Sequence, residues 1–484
     1  MSEVNASDLR LIKSIDDVIG TYAGAGTGAK TGVEVELAFF DPKSPDLTPM
    51  TIAQNKTVKD TTNTECCGDF VRNEPTSEML EVGSIPGGPD ELRTILDDTN
   101  KKITCLNAKA ANIDLKRSYF QHLPDKTANQ LLQNVMDVER YQAFFAPPRE
   151  DMQAIAAYFS VCKSNQVSVS YRGPDHLLEN IRRLYVLAPF LFMITDNAAP
   201  FNEGKPFTGH AGMHHRAALE GRGGVPPYVF TARTGEEYIR NHIDHVMNNP
   251  LFVYYNKNGE LIRLPSGTWT SFNKLREENL NTATNYFFAE SILWPDVKIA
   301  ALKDADNQVT GHRYEARMFG VGIHQHQTAL LLTAALAFDA EFANQIDALL
   351  SNTGFDQTTP ESLKAPLENA YNAARNHAGR FLNIAYGTTT MQKFASAFAD
   401  LLENSEFLQT FSEELAPLLT ICRTGQTDSH VNARHFMTLE SALDFQRNYD
   451  PEIFENPNLC AHMLFEKKLR QLDDKKIPNC ASNS

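Results

Sequence analysis

The sequence predicts an α+β protein: an antiparallel sheet with one apolar and one polar face, followed by a mostly helical C-terminal region. Three observations carry this. Four short segments alternate apolar and polar residues at the period of a strand. Between them, other stretches repeat apolar residues every three or four positions, the period of a helix. From about residue 324 the helical period takes over, in HQTALLLTAALAFDAEFANQIDALL, in PLENAYNAARNHAGRFLNIA and in parts of 390–447. The expected division is 1–330 and 331–484, with the second unit packed on the first.

Along the chain, residues 7–20 read as an amphipathic helix. GAGTGAKTG at 24–32 is glycine-rich, yet Ala29 rather than glycine precedes Lys30, and a strand follows the loop instead of preceding it. A phosphate loop needs the opposite on both counts, so this reads as a flexible entry to the strand. GVEVELAFFD at 32–41 then places Val33, Val35, Leu37 and Phe39 on one side and Glu34, Glu36 and Ala38 on the other. EMLEVGS at 78–84 sets Met79, Glu81 and Gly83 against Leu80 and Val82. NQVSVSYR at 165–172 sets Gln166, Ser168, Ser170 and Arg172 against Val167, Val169 and Tyr171. HRYEARMFG at 312–320 sets Arg313, Glu315 and Arg317 against Tyr314, Ala316 and Met318. Candidate helices lie near 89–109, 125–140, 148–162, 175–196 and 234–248. The apolar run LYVLAPFLFMI at 184–194 contains a proline and is too short to span a bilayer, so it reads as a buried helix. Trp269 and Trp294 read as packing anchors.

Composition narrows the class. The 484 residues are 42% hydrophobic, enough for a sizeable core, and the net charge of −15 argues against a nucleic-acid partner. No membrane segment and no secretory signal is visible, and a cytoplasmic protein is expected. The seven cysteines are odd in number and scattered, and read as reduced thiols. Cys66 and Cys67 are adjacent and do not fit a zinc spacing. The histidine-rich GHAGMHH at 209–215 and GIHQHQ at 322–327 lack a zinc-binding spacing and read as pocket lining or loop polarity.

The polar faces admit two readings. An antiparallel sheet can turn one face to water. Yet the first strand offers only acids there, Glu34 and Glu36 standing about 7 Å apart at ~3.3 Å rise per residue. An inward acid cluster needs a counter-charge. Carboxylates and amide oxygens suit Mg²⁺ or Mn²⁺, and neighbouring arginines suit phosphate. Acids, metal and arginines on one sheet face describe a site for metal–nucleotide phosphoryl transfer.

These segments resemble, in order, the plant- and proteobacterial-type glutamate–cysteine ligases of the glutamine-synthetase-like carboxylate–amine ligase superfamily. GVEVE at 32–36 is similar to the family's G-x-E-x-E strand, and NEPTSEMLEV at 73–82 to its L-E-P…F-E-L segment. NQVSVSY, a long helix and DNAAPFNEGKP at 196–206 follow, then GRGGVPP at 221–227, WPDVK at 294–298 and RYEAR at 313–317. Ser168 and Ser170 stand where the family has asparagine and aspartate. The resemblance implies a curved antiparallel sheet with helices on its outer face. It implies a catalytic unit over 1–330, and ATP-dependent joining of the glutamate γ-carboxylate to the amine of cysteine through γ-glutamyl phosphate, the first step of glutathione biosynthesis. It implies ATP and Mg²⁺ (or Mn²⁺), with Glu34, Glu36, Glu74, Glu81, Gln166 and Glu315 toward metal. Arg317 and Arg313 would serve the transferring phosphoryl group. Arg222 would hold the glutamate α-carboxylate, Asn197 and Lys205 would line the pocket, and a homodimer is the family-like assembly. Three alternatives stay open: a ligase with another amine acceptor, a non-catalytic member, and an ATP:guanidine phosphotransferase.

Overall fold

The computed structural model describes residues 8–26, 28–304, 308–376 and 384–450. Its centre is a seven-stranded sheet that curls into an antiparallel half-barrel. The strands are β1 (Thr31–Phe40), β2 (Val71–Asn73), β3 (Met79–Gly83), β4 (Lys116–Arg117), β5 (Asn165–Val169), β6 (Val297–Lys303) and β7 (Val309–Phe319). They are ordered β6-β7-β5-β1-β3-β2, with β4 beside the end of β1. All four alternating segments lie in this sheet, and every pairing in it is antiparallel.

Register explains why the polar faces coincide. Glu36 stands opposite Glu81 and Glu34 opposite Gln166. Ser168 stands opposite Glu315, Glu315 opposite Lys298, and Glu81 opposite Arg72. Directly opposed residues point to the same side of a sheet, so the alternation of each strand adds to one continuous polar face. The other face, with Val33, Val35, Leu37, Val167, Val169 and Tyr314 at 0–1% exposure, forms the core. Two helices pack there, Pro174–Ile194 and Gln325–Phe338. Residues 184–194 are buried throughout, as the apolar run predicts.

Several expectations shift. The described part of 7–20 forms no α-helix but two 3₁₀ turns, Ile15–Asp17 and Ile19–Tyr22. The Asp17 carboxylate takes the backbone N–H groups of Lys13 (2.7 Å) and Ser14 (2.8 Å), and Leu11 bridges to Thr282, so the local pattern yields to side-chain capping and tertiary pairing. The helix near 125–140 breaks into Ala128–Leu131 and Glu139–Phe145 because Val135 is extended and bridges Thr76. The last two residues of WPDVK and the five that follow form β6, an edge strand paired antiparallel with β7. The division expected at 330 falls inside the single helix Gln325–Phe338. Beyond it the chain is helical at Ala340–Asn352, Lys364–Asn376, Met391–Asn404, Ser412–Thr424, Asp428–His435 and Leu439–Asn448. Residues 451–484 lie outside the described residues.

The cysteines need a correction. Cys66 and Cys105 form a disulfide, tying the chain after helix Ile52–Thr62 to helix Leu92–Ala111, while Cys162 and Cys422 are free. The sequence separation of 39 between the two cysteines hid the pairing, which depends on how the two segments pack. Among the described residues no helix is long and apolar enough to cross a membrane.

Candidate active site

A cavity of about 530 Å³ opens over the polar face. Glu34, Glu36, Glu74, Glu81, Gln166, Arg313, Glu315 and Arg317 all line it. Strand alternation puts Glu34, Glu36, Glu81, Gln166, Arg313, Glu315 and Arg317 on polar faces, the family-like NEPTSEMLEV segment adds Glu74, and strand register together with the chain after β2 brings all eight to one cavity.

Within the group, Glu36, Glu74 and Glu81 are 2–7% exposed and each places an oxygen within 4.8 Å of the others. The Glu36 carboxylate accepts from the backbone N–H of Ser164 (2.6 Å) and the side-chain amide of Gln166 (2.7 Å). Gln166 thus orients Glu36, leaving its own carbonyl oxygen for another partner. Burial and the Glu81 and Glu36 charges push Glu74 well above the usual carboxylate range. Burial raises Glu36 too, opposed by Arg317 and the Ser164 N–H. Glu34, half-buried beside this trio, is raised to about 7 by burial and by Glu81 and Glu315. The Glu81 Oε1 is buried without any hydrogen-bond partner. Four acids with an unsatisfied oxygen form a donor set that lacks its counter-charge and fits a hard divalent cation.

Glu315 sits in the opposite balance. Burial would raise it, but Arg317 and Arg313 outweigh that and hold it at about 2. Arg317 Nη1 donates to it at 2.5 Å, and Arg313 lies 3.5 Å away while donating to Ser168 Oγ at 2.7 Å. Glu315 is therefore already paired, whereas the acids across the sheet are not. This places Glu315 nearer to an arginine positioner than to a free ligand.

The remaining candidates lie elsewhere. Arg222 does not line the cavity. Its guanidinium donates to the backbone carbonyls of Ile292 (3.2 Å) and Pro250 and sits 5.6–5.8 Å from the ring centres of Phe252, Trp269 and Trp294. Burial alone lowers it to about 10. It staples the Gly223–Gly224 segment to its surroundings. Asn197 is buried and donates to Tyr119 O at 2.7 Å while accepting from Asn432, and Lys205 is exposed in a two-residue hairpin strand. The family-like order of motifs placed these three at the site; the tertiary path carries their side chains away from it. Trp294 is fully buried and packs edge-on against Phe159, as expected of an anchor. His210 caps the helix Ala211–Ala217, and His326 meets Asn100 at 2.8 Å. Among the described residues the one group arranged to hold a metal is the carboxylate trio.

Sequence reasoning missed other cavity residues. Lys298 is 5% exposed and donates to Ser291 O at 2.9 Å; burial and the Arg317 charge lower it to about 7. The basic end of WPDVK was its one sequence signal. Arg140 and Glu290 sit on helices with no local sign of the site. Glu290 is saturated: it accepts from Tyr22 (2.6 Å), and from His242 and His312 (3.1 Å each). Those histidines overcome its burial and hold it well below the usual carboxylate range. It is a buried anchor for the N-terminal segment rather than a spare ligand.

A curled antiparallel half-barrel with helices packed on its apolar face is also the fold of a solved glutamate–cysteine ligase. The crystal structure of a glutamate–cysteine ligase from Francisella tularensis in complex with AMP superposes with a TM-score of 0.50 over 94% of this chain and 97% of that one, at 10% identity. A bifunctional glutathione synthetase from Pasteurella multocida covers 94% of this chain but 53% of that one, with a TM-score of 0.38 at 10% identity. No family model and no curated protein matches the sequence.

Proposed function

We propose that the protein is an ATP-dependent carboxylate–amine ligase that joins the γ-carboxylate of glutamate to the amine of cysteine. One observation carries this reading: four acids lacking counter-charge face an arginine-rich strand across one cavity, on a fold shared with a ligase solved with AMP. Glu36, Glu74 and Glu81 would hold Mg²⁺ or Mn²⁺, with Glu34 beside them. The ion would neutralise nucleotide phosphates as they approach the accepting carboxylate. Arg317, buried and fixed by Glu315, would then offset charge on the transferring phosphoryl group. Arg313, held by Ser168, would assist from the next position on the same face. Phosphorylating the γ-carboxylate creates a leaving group that the amine displaces, which makes the amide accessible in water. Ser168 also favours a second reading, the same chemistry with another amine acceptor, because its hydroxyl lies at the cavity and is engaged by Arg313.

The test is phosphate release from ATP with Mg²⁺ and glutamate, with and without cysteine, with the product identified by mass. Cysteine-dependent release of a γ-glutamylcysteine mass is expected, and Glu36→Gln lowers it on the order of 100-fold by breaking the acid trio. Glutamate-dependent release indifferent to cysteine selects the second reading. No nucleotide-dependent release with any acceptor rejects both.

A further inference from the structure

Arg140, on helix Glu139–Phe145, is 7% exposed and lines the cavity. Its guanidinium lies 5.3 Å from the ring centre of Phe144 and 5.6 Å from that of Phe288. One nitrogen donates to Ser291 Oγ at 3.0 Å. Its Nε and Nη1 are buried and meet no acceptor, so both edges of the guanidinium keep an uncommitted donor. Lys298 reaches the same residue from the sheet, donating to the Ser291 carbonyl. Neither cation forms an ion pair among the described residues.

This is unusual for buried charge. An unpaired guanidinium out of water is costly, and proteins normally neutralise one with a carboxylate. Arg313 and Arg317 of the same cavity obey that rule and share Glu315, while Arg72 at the cavity is exposed to water. Arg222, the residue expected to bind a substrate carboxylate, is committed to backbone carbonyls outside the cavity. Arg140 therefore has the donors, the burial and the missing partner that a receptor for an anion requires. The planar, always-charged guanidinium matches the two oxygens of a carboxylate.

We infer that Arg140, with Lys298 and Ser291 beside it, receives the α-carboxylate of an amino-acid substrate. The inference rests on the ligase reading for the identity of that amino acid, and not for the presence of the receptor. It makes an α-amino acid, rather than a simple amine or a monocarboxylic acid, the class of substrate at this wall. Glutamate and cysteine both carry such a group, so the test separates them.

Binding is measured by calorimetry with Mg²⁺ and a non-hydrolysable ATP analogue present. Each amino acid is compared with its decarboxylated counterpart: L-glutamate with 4-aminobutyrate, and L-cysteine with 2-aminoethanethiol. In the wild-type protein at least one amino acid is expected to bind about 30-fold tighter than its counterpart, the scale of a charge-assisted hydrogen-bonded pair. Arg140→Met should erase that ratio and leave the counterpart's affinity unchanged, while Arg140→Lys restores part of it. The amino acid that responds is the one whose carboxylate Arg140 holds. Equal binding of both members of each pair by wild type, or an undiminished ratio in Arg140→Met, overturns the inference. If Arg140→Met does not fold, the wild-type ligand comparison and Arg140→Lys decide alone. Because no turnover is needed, a protein that discriminates these pairs but never releases phosphate keeps the receptor and loses the ligase reading.

Discussion

Glu34 shows how a single residue reports on the site. Its carboxyl is raised to about 7, first by burial and then by the Glu81 and Glu315 charges. A carboxyl raised on folding binds its proton more tightly in the native state, so its contribution favours folding at low pH and is lost as pH rises from about 4.5 through 7. Without divalent cation, stability should therefore fall over that window. Glu34→Gln should flatten the decline and stabilise the protein by about 1–2 kcal/mol at pH 7.5, a figure discounted for partial solvent access. Thermal melts at pH 5, 6, 7 and 8 check it; an unchanged slope in the variant would refute this account. Glu34, Glu36, Glu81 and the two arginines of the site were legible because a period-two strand leaves no freedom about which side chains share a face, whereas Glu74, just past β2, was legible only through the family-like NEPTSEMLEV segment. Arg140 and Lys298 were not. Their role depends on which partners they lack, and an absence of partners exists only once the surrounding chain has folded.

Among elements, the two helices that open with Pro174 and Gly235 meet at their N-termini. Asp175 accepts the backbone N–H of Gly235 at 2.8 Å, and a Cβ added to Gly235 would stand 2.0–2.1 Å from the backbone of Pro174. Backbone atoms cannot step aside as a flexible side chain can. Gly235→Ala should therefore cost about 2–4 kcal/mol, read by urea unfolding, although alanine is normally the better helix former. Helix existence was readable wherever the apolar period ran long, as at 153–161, 174–194 and 235–248. It failed at 7–20 and 125–140, where Asp17 caps a short turn and Val135 bridges Thr76. β6 escaped notice because an edge strand at the rim of the cavity needs no strict alternation. A disulfide across 39 residues likewise depends on helix packing that no spacing reveals.

For the whole molecule, the acid trio predicts a ligand-dependent stability. Acids brought together by folding repel or take up protons until a cation arrives, so anything that binds the native cavity alone should raise the melting point by mass action. At a hundredfold excess over its dissociation constant, Mg²⁺ with a non-hydrolysable ATP analogue should add about 2.7 kcal/mol. Glu36→Gln should lose most of that gain, and a gain retained in the variant would place the cation elsewhere. By itself the sequence determined the α+β class, the polar sheet face and the acids and arginines on it, because alternation is a local consequence of backbone geometry. It also determined the buried helix at 184–194, since an apolar run with so few polar atoms belongs in a core. Only the tertiary structure decided which cations are spent and which are open. Arg222 was drawn away by carbonyls near it in space, Glu315 was claimed by two arginines, and Arg140 was left with unpaired donors. Hydrogen-bond capacity and charge are balanced over neighbours in three dimensions, and residues 140, 291 and 298 become neighbours only when the sheet curls and the helices close over its polar face.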